Sequence, residues 1–127
     1  MQKILYLGIV LIFASCGANE SESESSTVNT IKIDNLEVMT EDLERTYTWD
    51  DAMKACAVLG DGWRLPTKDE LNLLYENKEK IGGFAGSYYW SSTEDGNFYA
   101  WYQLFNNGHR YSNIKDATYY VRAVRAF

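Results

Sequence analysis

Apolar and polar positions divide the chain into three stretches of different character. Met1-Gln2-Lys3 is a short positive start, and Ile4 to Ala14 is then apolar throughout with one glycine, Gly8. Glu20-Ser21-Glu22-Ser23-Glu24-Ser25-Ser26 holds no apolar residue, has nothing to bury and repels itself. From about residue 30 the pattern becomes that of a folded domain. Ile31 and Ile33, followed by Leu36 and Val38, alternate as strands do, around a turn at Asp34-Asn35. Thr48-Trp49-Asp50-Asp51 is a variant capping box with Asp in place of Glu or Gln. Trp49, Ala52, Met53, Cys56 and Ala57 then recur at helical spacing until Gly60-Asp61-Gly62 stops the helix. Pro66 and the capping box Thr67-Lys68-Asp69-Glu70 start a second helix, with Leu71, Leu74 and Tyr75 as its buried stripe. Lys78 and Lys80 are expected near its C-terminal end, where the helix dipole favours cations, and Gly82-Gly83 ends it.

After Tyr88 the period changes to two. Tyr88 to Thr93, Phe98 to Phe105, Gly108 to Asn113 and Tyr119 to Phe127 are predicted strands. Turn signals lie between them at Asp95-Gly96-Asn97, Asn106-Asn107-Gly108 and Lys115-Asp116. Strand, two helices and an antiparallel meander, in that order, make an α+β domain. On the Phe98 to Phe105 strand, Trp101 and Phe105 share one face with Gln103 between them, and Tyr102 and Leu104 face the other way as a small apolar patch.

The first stretch changes where such a domain would work. A positive start, a short apolar core and the small residues Ser15, Cys16 and Gly17 describe a secretory signal, too short for a bilayer-spanning helix. Phe13-Ala14-Ser15-Cys16 resembles the lipobox of bacterial lipoproteins. The resemblance implies that residues 1–15 are removed, that Cys16 is acylated, and that residues 16–30 form an acidic tether to a domain over 31–127. The expected location is the outer membrane, lipid-anchored, facing either the periplasm or the cell surface. Acidic residues soon after the acylated cysteine also resemble a surface-export signal of some bacterial phyla. Acylation of Cys16 leaves Cys56 with no intramolecular partner, since the chain has 2 cysteines. Cys56 lies on an apolar helix face and reads as a packed thiol.

Charge and residue chemistry then remove several functions. The chain carries a net charge of −6, and the 15 acidic and 11 basic residues from Thr27 onward leave −4 in the domain, so nucleic acid is not an expected partner. No metal-site spacing can be built from one free cysteine and the single histidine, His109, and no cofactor is implied. Ser91-Ser92-Thr93-Glu94 lacks a positioned base and acid for a nucleophilic relay, and Ser91 and Ser92 read as groups that satisfy backbone where a strand bends. Glu94, Asp95 and Asn97 offer oxygens to a cation, but one short acidic turn is a weak signal.

Several segments taken together resemble a known family. They are Tyr47-Thr48-Trp49-Asp50-Asp51-Ala52, Gly62-Trp63-Arg64-Leu65-Pro66-Thr67 with Glu70-Leu71, and Tyr89-Trp90-Ser91-Ser92-Thr93-Glu94, followed by Ala100-Trp101, Phe105, Gly108 and Tyr120-Val121-Arg122-Ala123-Val124-Arg125. The set resembles the DUF1566 family, related to the C-terminal domain of a Legionella collagen-like adhesin and similar to the Fibrobacter major paralogous domain. The resemblance implies a C-type-lectin-like fold of the formylglycine-generating-enzyme branch, with two helices packed on a twisted antiparallel sheet and the terminal strands near each other. Trp63, Trp90 and Trp101 stand at the family's motif positions and are expected to be scaffold. Arg64 and Arg122 are expected to anchor hydrogen-bond networks linking the Gly62 to Pro66 turn to the last strand. The paired active-site cysteines of formylglycine-generating enzymes and the Glu-Pro-Asn or Gln-Pro-Asp loop of calcium-dependent lectins are both missing.

In the related variable proteins of diversity-generating retroelements, ligand-contacting positions lie in the C-terminal part. By that resemblance the candidate ligand-binding residues are Asn97, Tyr99, Tyr102, Leu104, Asn106, Asn107, His109, Arg110, Tyr111 and Asn113. Their Asn- and Tyr-rich character combines contact area with adaptable hydrogen bonding. The expected function is a non-enzymatic, surface-anchored binding module for a protein or polysaccharide. The alternative is a structural component of the cell envelope or of a surface appendage, including a retroelement variable protein.

Overall fold

The computed structural model describes residues 28–127. The signal, Cys16 and most of the acidic tether therefore lie outside the described residues. Thr30–Ile33 (β1) and Leu36–Met39 (β2) form a hairpin, turned at Asp34 with φ 54°. Trp49–Ala57 (α1), Lys68–Glu76 (α2) and the short Lys78–Ile81 (α3) follow. Tyr88–Glu94 (β3), Tyr99–Leu104 (β4), Arg110–Ile114 (β5) and Val124–Ala126 (β6) complete the chain. No helix among the described residues is long and apolar enough to cross a membrane.

Both long helices begin where their caps dictate. Thr48 accepts from the Asp51 N–H at 3.4 Å, and Thr67 and Glu70 form a reciprocal capping box, at 3.2 Å and 2.9 Å. The second helix stops before the expected end at Gly82-Gly83. Asn77 leaves helical geometry at φ −112° and its side chain turns back to the Leu73 carbonyl, so Lys78 and Lys80 lie in α3 and not in the last turn of α2.

The strands form two sheets where a single one was expected. β1, β2 and β6 make the first, which brings the two ends of the domain together, and β3, β4 and β5 make the second. The cause lies in the last segment. Instead of one strand over 119–127, regular pairing starts at Val124, and the preceding residues cross between the sheets with changing partners. Tyr119 pairs with Tyr47, Tyr120 runs parallel to Tyr89, the Leu43 N–H reaches Val121, and the Met39 N–H reaches Ala123. Tyr119, Val121 and Ala123 turn to residues 39–47 at uneven spacing while Tyr120 turns to β3, so no continuous ladder forms.

Two apolar clusters flank this crossing segment. Under α1 lie Trp49, Ala52, Cys56, Trp63, Leu65, Trp90, Ala100, Tyr119 and Val121. Under α2 lie Leu71, Leu74, Tyr89, Phe105 and Val124, with Ile33, Leu36 and Val38 from the first hairpin. The Cys56 thiol is fully buried, and desolvation pushes its pKa up to about 12, so it stays protonated and unreactive. Trp90 is fully buried and donates from Nε1 to the Tyr47 carbonyl at 2.8 Å, while Trp49 donates to the Ser91 carbonyl at 2.9 Å.

The two arginines perform separate tasks. Arg64 pairs in bidentate fashion with Glu70 at 2.7 Å and 3.0 Å, tying the turn to α2, while its backbone exchanges two 2.9 Å bonds with Val124. Arg122 has no exposed surface. It does not reach the Gly62 to Pro66 turn. It donates instead to Asp42 at 2.9 Å and to the carbonyls of Met39 and Gly82 at 2.9 Å and 3.1 Å, and stacks 3.8 Å from the Phe84 ring centroid. Its Nη2 lies 2.9 Å from the same Asp42 oxygen, too obliquely for a further hydrogen bond. Tyr89 donates to the other Asp42 oxygen at 2.7 Å and accepts from the Ala85 N–H at 2.8 Å. Burial raises the Asp42 carboxyl above its usual range, outweighing these partners.

Removing one member of a buried ion pair strands the other, at a cost of about 3–5 kcal/mol. Arg122→Ala is expected to lower folding stability by that amount in urea titration, whereas Lys80→Ala, on an exposed surface, is expected to change it by under about 0.5 kcal/mol. Glu70 gives a pH signature. The hydrogen bond from Arg64 holds its carboxyl below the ordinary 4.5, so its stabilisation is complete above that pH and is lost as pH falls through the lower folded-state value. Glu70→Gln is expected to lower the urea midpoint at neutral pH and to shrink the fall in midpoint upon acidification; an unchanged acid response would contradict this assignment.

Candidate ligand-binding face

The second sheet places alternate residues on opposite faces, and its register decides which candidates meet. Trp90 pairs with Tyr102, Tyr88 with Leu104, Tyr102 with Tyr111 and Ala100 with Asn113. Tyr88, Trp90, Ala100, Tyr102, Leu104, Tyr111 and Asn113 therefore share one face, with Glu94 opposite Ala100 at its far end, and His109 continues it beyond the end of β5. Tyr99 pairs with Ile114, Trp101 with Ser112 and Gln103 with Arg110, all on the other face. There Gln103 donates to Asn72 of α2 at 2.9 Å and Lys68 caps the Trp101 ring at 3.5 Å.

The first face carries a continuous aromatic cluster graded in depth. Trp90 is fully buried and Tyr119, 9% exposed, lies over it at 4.6 Å between ring centroids. Tyr119 in turn touches Tyr102 at 4.7 Å and Tyr88 at 5.1 Å. Across the strands the outer rings run Tyr88 to Tyr102 at 5.4 Å, Tyr102 to Tyr111 at 6.0 Å and Tyr111 to His109 at 6.2 Å. The first two contacts are tilted by 45° and 43°, so the rings form ridges and not a flat plate. Tyr88 is 39% and Tyr111 50% exposed, while Tyr102 is half-buried between them.

Polar atoms fix this row from the side. Asn113 donates to the Tyr119 hydroxyl at 2.7 Å, and Asn107 accepts from the His109 N–H at 2.9 Å, setting the turn that delivers His109. Tyr111 Oη lies 3.4 Å from His109 Nδ1. Gly108 in that turn has φ +82°, and a Cβ there would strike the Tyr75 ring, so both backbone conformation and space require glycine. Desolvation, and next the neighbouring Tyr119, raise the Tyr102 hydroxyl further above its ordinary range, so this central phenol is uncharged at neutral pH.

Of the residues expected to bind, Tyr102, Leu104, His109, Tyr111 and Asn113 come together on this face, with Asn107 bracing its rim. Tyr99 and Arg110 belong to the opposite face. Asn97 sits in the turn at the far end of β4, where its carbonyl accepts from Lys115, and Asn106 borders a groove with Lys78, Gly83 and Phe84. Those four are not part of a common surface with the others. Tyr88 and Tyr119 were not foreseen, because they flank the Asn- and Tyr-rich stretch. The alternation of Tyr88 with Trp90 was visible, but its place opposite Leu104 depends on the irregular register between Trp90 and Glu94.

The other chemical candidates are occupied by structural tasks. Ser91 is buried, donates to the Trp101 carbonyl at 2.7 Å and accepts from the Thr93 N–H at 3.2 Å, which settles the backbone at that irregularity. Glu94 pairs with Lys115 and Asp95 accepts from Ser112. Among the described residues no three His, Cys, Asp or Glu side chains are grouped to hold a metal ion.

Solved structures share this architecture. EMS16, described as an antagonist of collagen receptor integrin α2β1, superposes with a TM-score of 0.59 at 11% identity, over 80% of this chain and 100% of its own. Botrocetin gives 0.60 at 11% identity, over 81% and 100%. A chain from a complex of botrocetin with a von Willebrand factor A1 domain gives 0.58 at 10% identity, over 81% and 100%. These are C-type-lectin-like proteins, and the shared fold is the C-type-lectin-like fold. A comparison with curated proteins finds no match. The family described as Lcl C-terminal domain matches residues 20–125, most of the chain and all the motif segments set out above, and the protein belongs to that family.

Proposed function

We propose that this protein is a non-enzymatic recognition module, tethered to the outer membrane by acylation at Cys16 and exposed to the periplasm or the cell surface. The observation that carries the reading is the row Tyr88, Tyr102 and Tyr111, partly exposed, on a sheet braced beneath them by the buried Trp90 and Tyr119. Amphipathic rings already held in place lose little conformational freedom on binding, which favours affinity. The likeness to proteins described as an integrin antagonist and as a partner of a von Willebrand factor domain supports a binding role over a catalytic one. The ligand is a protein or a polysaccharide. Packing on a partner subunit of the envelope is favoured by a separate feature: Phe98, Tyr99 and Ile114, 72%, 47% and 46% exposed, gather at the far end of the second sheet.

The full chain, probed against arrays of glycans and extracellular proteins, is expected to retain at least one ligand, and Tyr102→Ala with Tyr111→Ala is expected to abolish retention. Tyr111→Ala alone should lower folding stability by about 1 kcal/mol or less, since half the side chain is exposed and one cross-strand ring contact is lost, so weaker binding by a protein that is still folded would not reflect unfolding. Retention unchanged in the double variant, or turnover dependent on His109, would contradict the proposal. Cys16→Ser is expected to release the protein from the membrane fraction, and protease treatment of intact cells would report which side the domain faces.

A further inference from the structure

The charge pattern of the tyrosine face narrows its ligand. The domain holds 15 acidic and 11 basic residues beyond Thr27, yet the strand residues of this face contribute one charged side chain, Glu94, which lies opposite Ala100 at the far end and is paired with Lys115. Arg110, the nearest cation in sequence, lies on the opposite face opposite Gln103, and Lys115 is bound to Glu94 and the Asn97 carbonyl. A sulfated or uronic-acid polymer would find no unpaired lysine or arginine among these strand residues and an acidic domain behind it; a basic peptide would find the one carboxylate, Glu94, already paired with Lys115. Complementarity therefore selects a ligand without formal charge.

Its polarity is equally specific. Apart from Leu104, the exposed edge is made of rings that each carry a polar atom: the phenols of Tyr88, Tyr102 and Tyr111 and the imidazole of His109. Asn113 and the buried Tyr119 hydroxyl hold each other beneath them at 2.7 Å. A sugar ring has this same division, with C–H bonds on its face and hydroxyls around its edge. It can lie against a tyrosine ring while its hydroxyls meet the phenols and imidazole at the rim. Ridges 5.4 Å and 6.0 Å apart offer such seats in succession, which suits a chain of sugars more than a single one.

We infer that the tyrosine row Tyr88–Tyr102–Tyr111, ended by His109, is a docking surface for an uncharged glycan chain, bound through ring stacking and direct hydrogen bonds. The inference rests on the proposed binding role of this face and adds the chemical class of ligand. Tyr102 and Tyr111 are the central contacts and His109 supplies a donor or acceptor at the outer end.

The experiment is a solution NMR titration of the full chain in detergent micelles, reading the aromatic resonances of Tyr102 and Tyr111. The probes are cellohexaose, mannohexaose and xylohexaose as uncharged chains, heparin as a sulfated one, and a proline-rich decapeptide as a neutral protein ligand. At least one uncharged oligosaccharide is expected to shift both tyrosines, with affinity nearly constant from about 50 mM to about 500 mM salt, since no ion pair is there to be screened. Tyr111→Ala should weaken that binding about tenfold or more, and Tyr111→Phe should retain most of it. If heparin or the peptide shifts these resonances and none of the oligosaccharides does, the glycan assignment is wrong while the binding face stands. If no probe shifts them, the glycan assignment is overturned. If a probe binds and shifts only residues elsewhere, the binding face itself is overturned.

Discussion

A guanidinium with no exposed surface must find partners for its charge and its donors inside the protein, and Arg122 finds them on segments distant in sequence. It holds Asp42 and the Met39 carbonyl from the stretch that follows the first hairpin, and the Gly82 carbonyl from the end of α3. Asp42 passes the connection to Tyr89 at the start of β3. These bonds fix the crossing segment between the sheets, and that segment carries Tyr119. The buried charge is thereby linked to the proposed binding face, because Tyr119 is the floor against which Tyr88 and Tyr102 pack.

The tyrosine row depends on this floor in a second way. Trp90 lies deeper still, its indole N–H bonded to the Tyr47 carbonyl, and Tyr47 pairs through its backbone with Tyr119. A closed circuit of packing and hydrogen bonds thus runs from the α1 side of the core to the outer rings. Little is left for a ligand to order except the most exposed side chains, and affinity at such a face is set more by preorganisation than by area. Nearby reactive groups have structural tasks: the buried Ser91 is committed to backbone, and the buried thiol of Cys56 is held protonated by desolvation.

Much of the fold was legible because it is written in local chemistry. Thr48 and Thr67 mark helix starts through side-chain bonds that depend on neighbours three residues away, and the first hairpin turns at Asp34-Asn35 as its alternation suggests. Less legible were features set by distant partners. Asn77 breaks the second helix by folding its amide onto Leu73, a choice that the apolar stripe does not record. The division into two sheets follows from the shifting partners of residues 119–123, which no periodicity encodes. The same limit applied to the site. Alternation along β4 separates Tyr102 and Leu104 from Tyr99 and Trp101, but assigning Arg110 to the opposite face needed the β4–β5 register, and recruiting Tyr88 and Tyr119 needed the tertiary packing.

The central physical claim is that buried groups hold the outer tyrosines as one row before any ligand arrives. The most direct measurement is a set of ring-to-ring nuclear Overhauser contacts in the free protein, with selectively labelled tyrosines. The expected result is contacts from Tyr119 to both Tyr88 and Tyr102, and from Tyr102 to Tyr111, at the spacings of 4.7 to 6.0 Å that the fold imposes. Loss of these contacts while the rest of the sheet gives sharp, dispersed signals would contradict it, since the row would then not exist without a partner to assemble it.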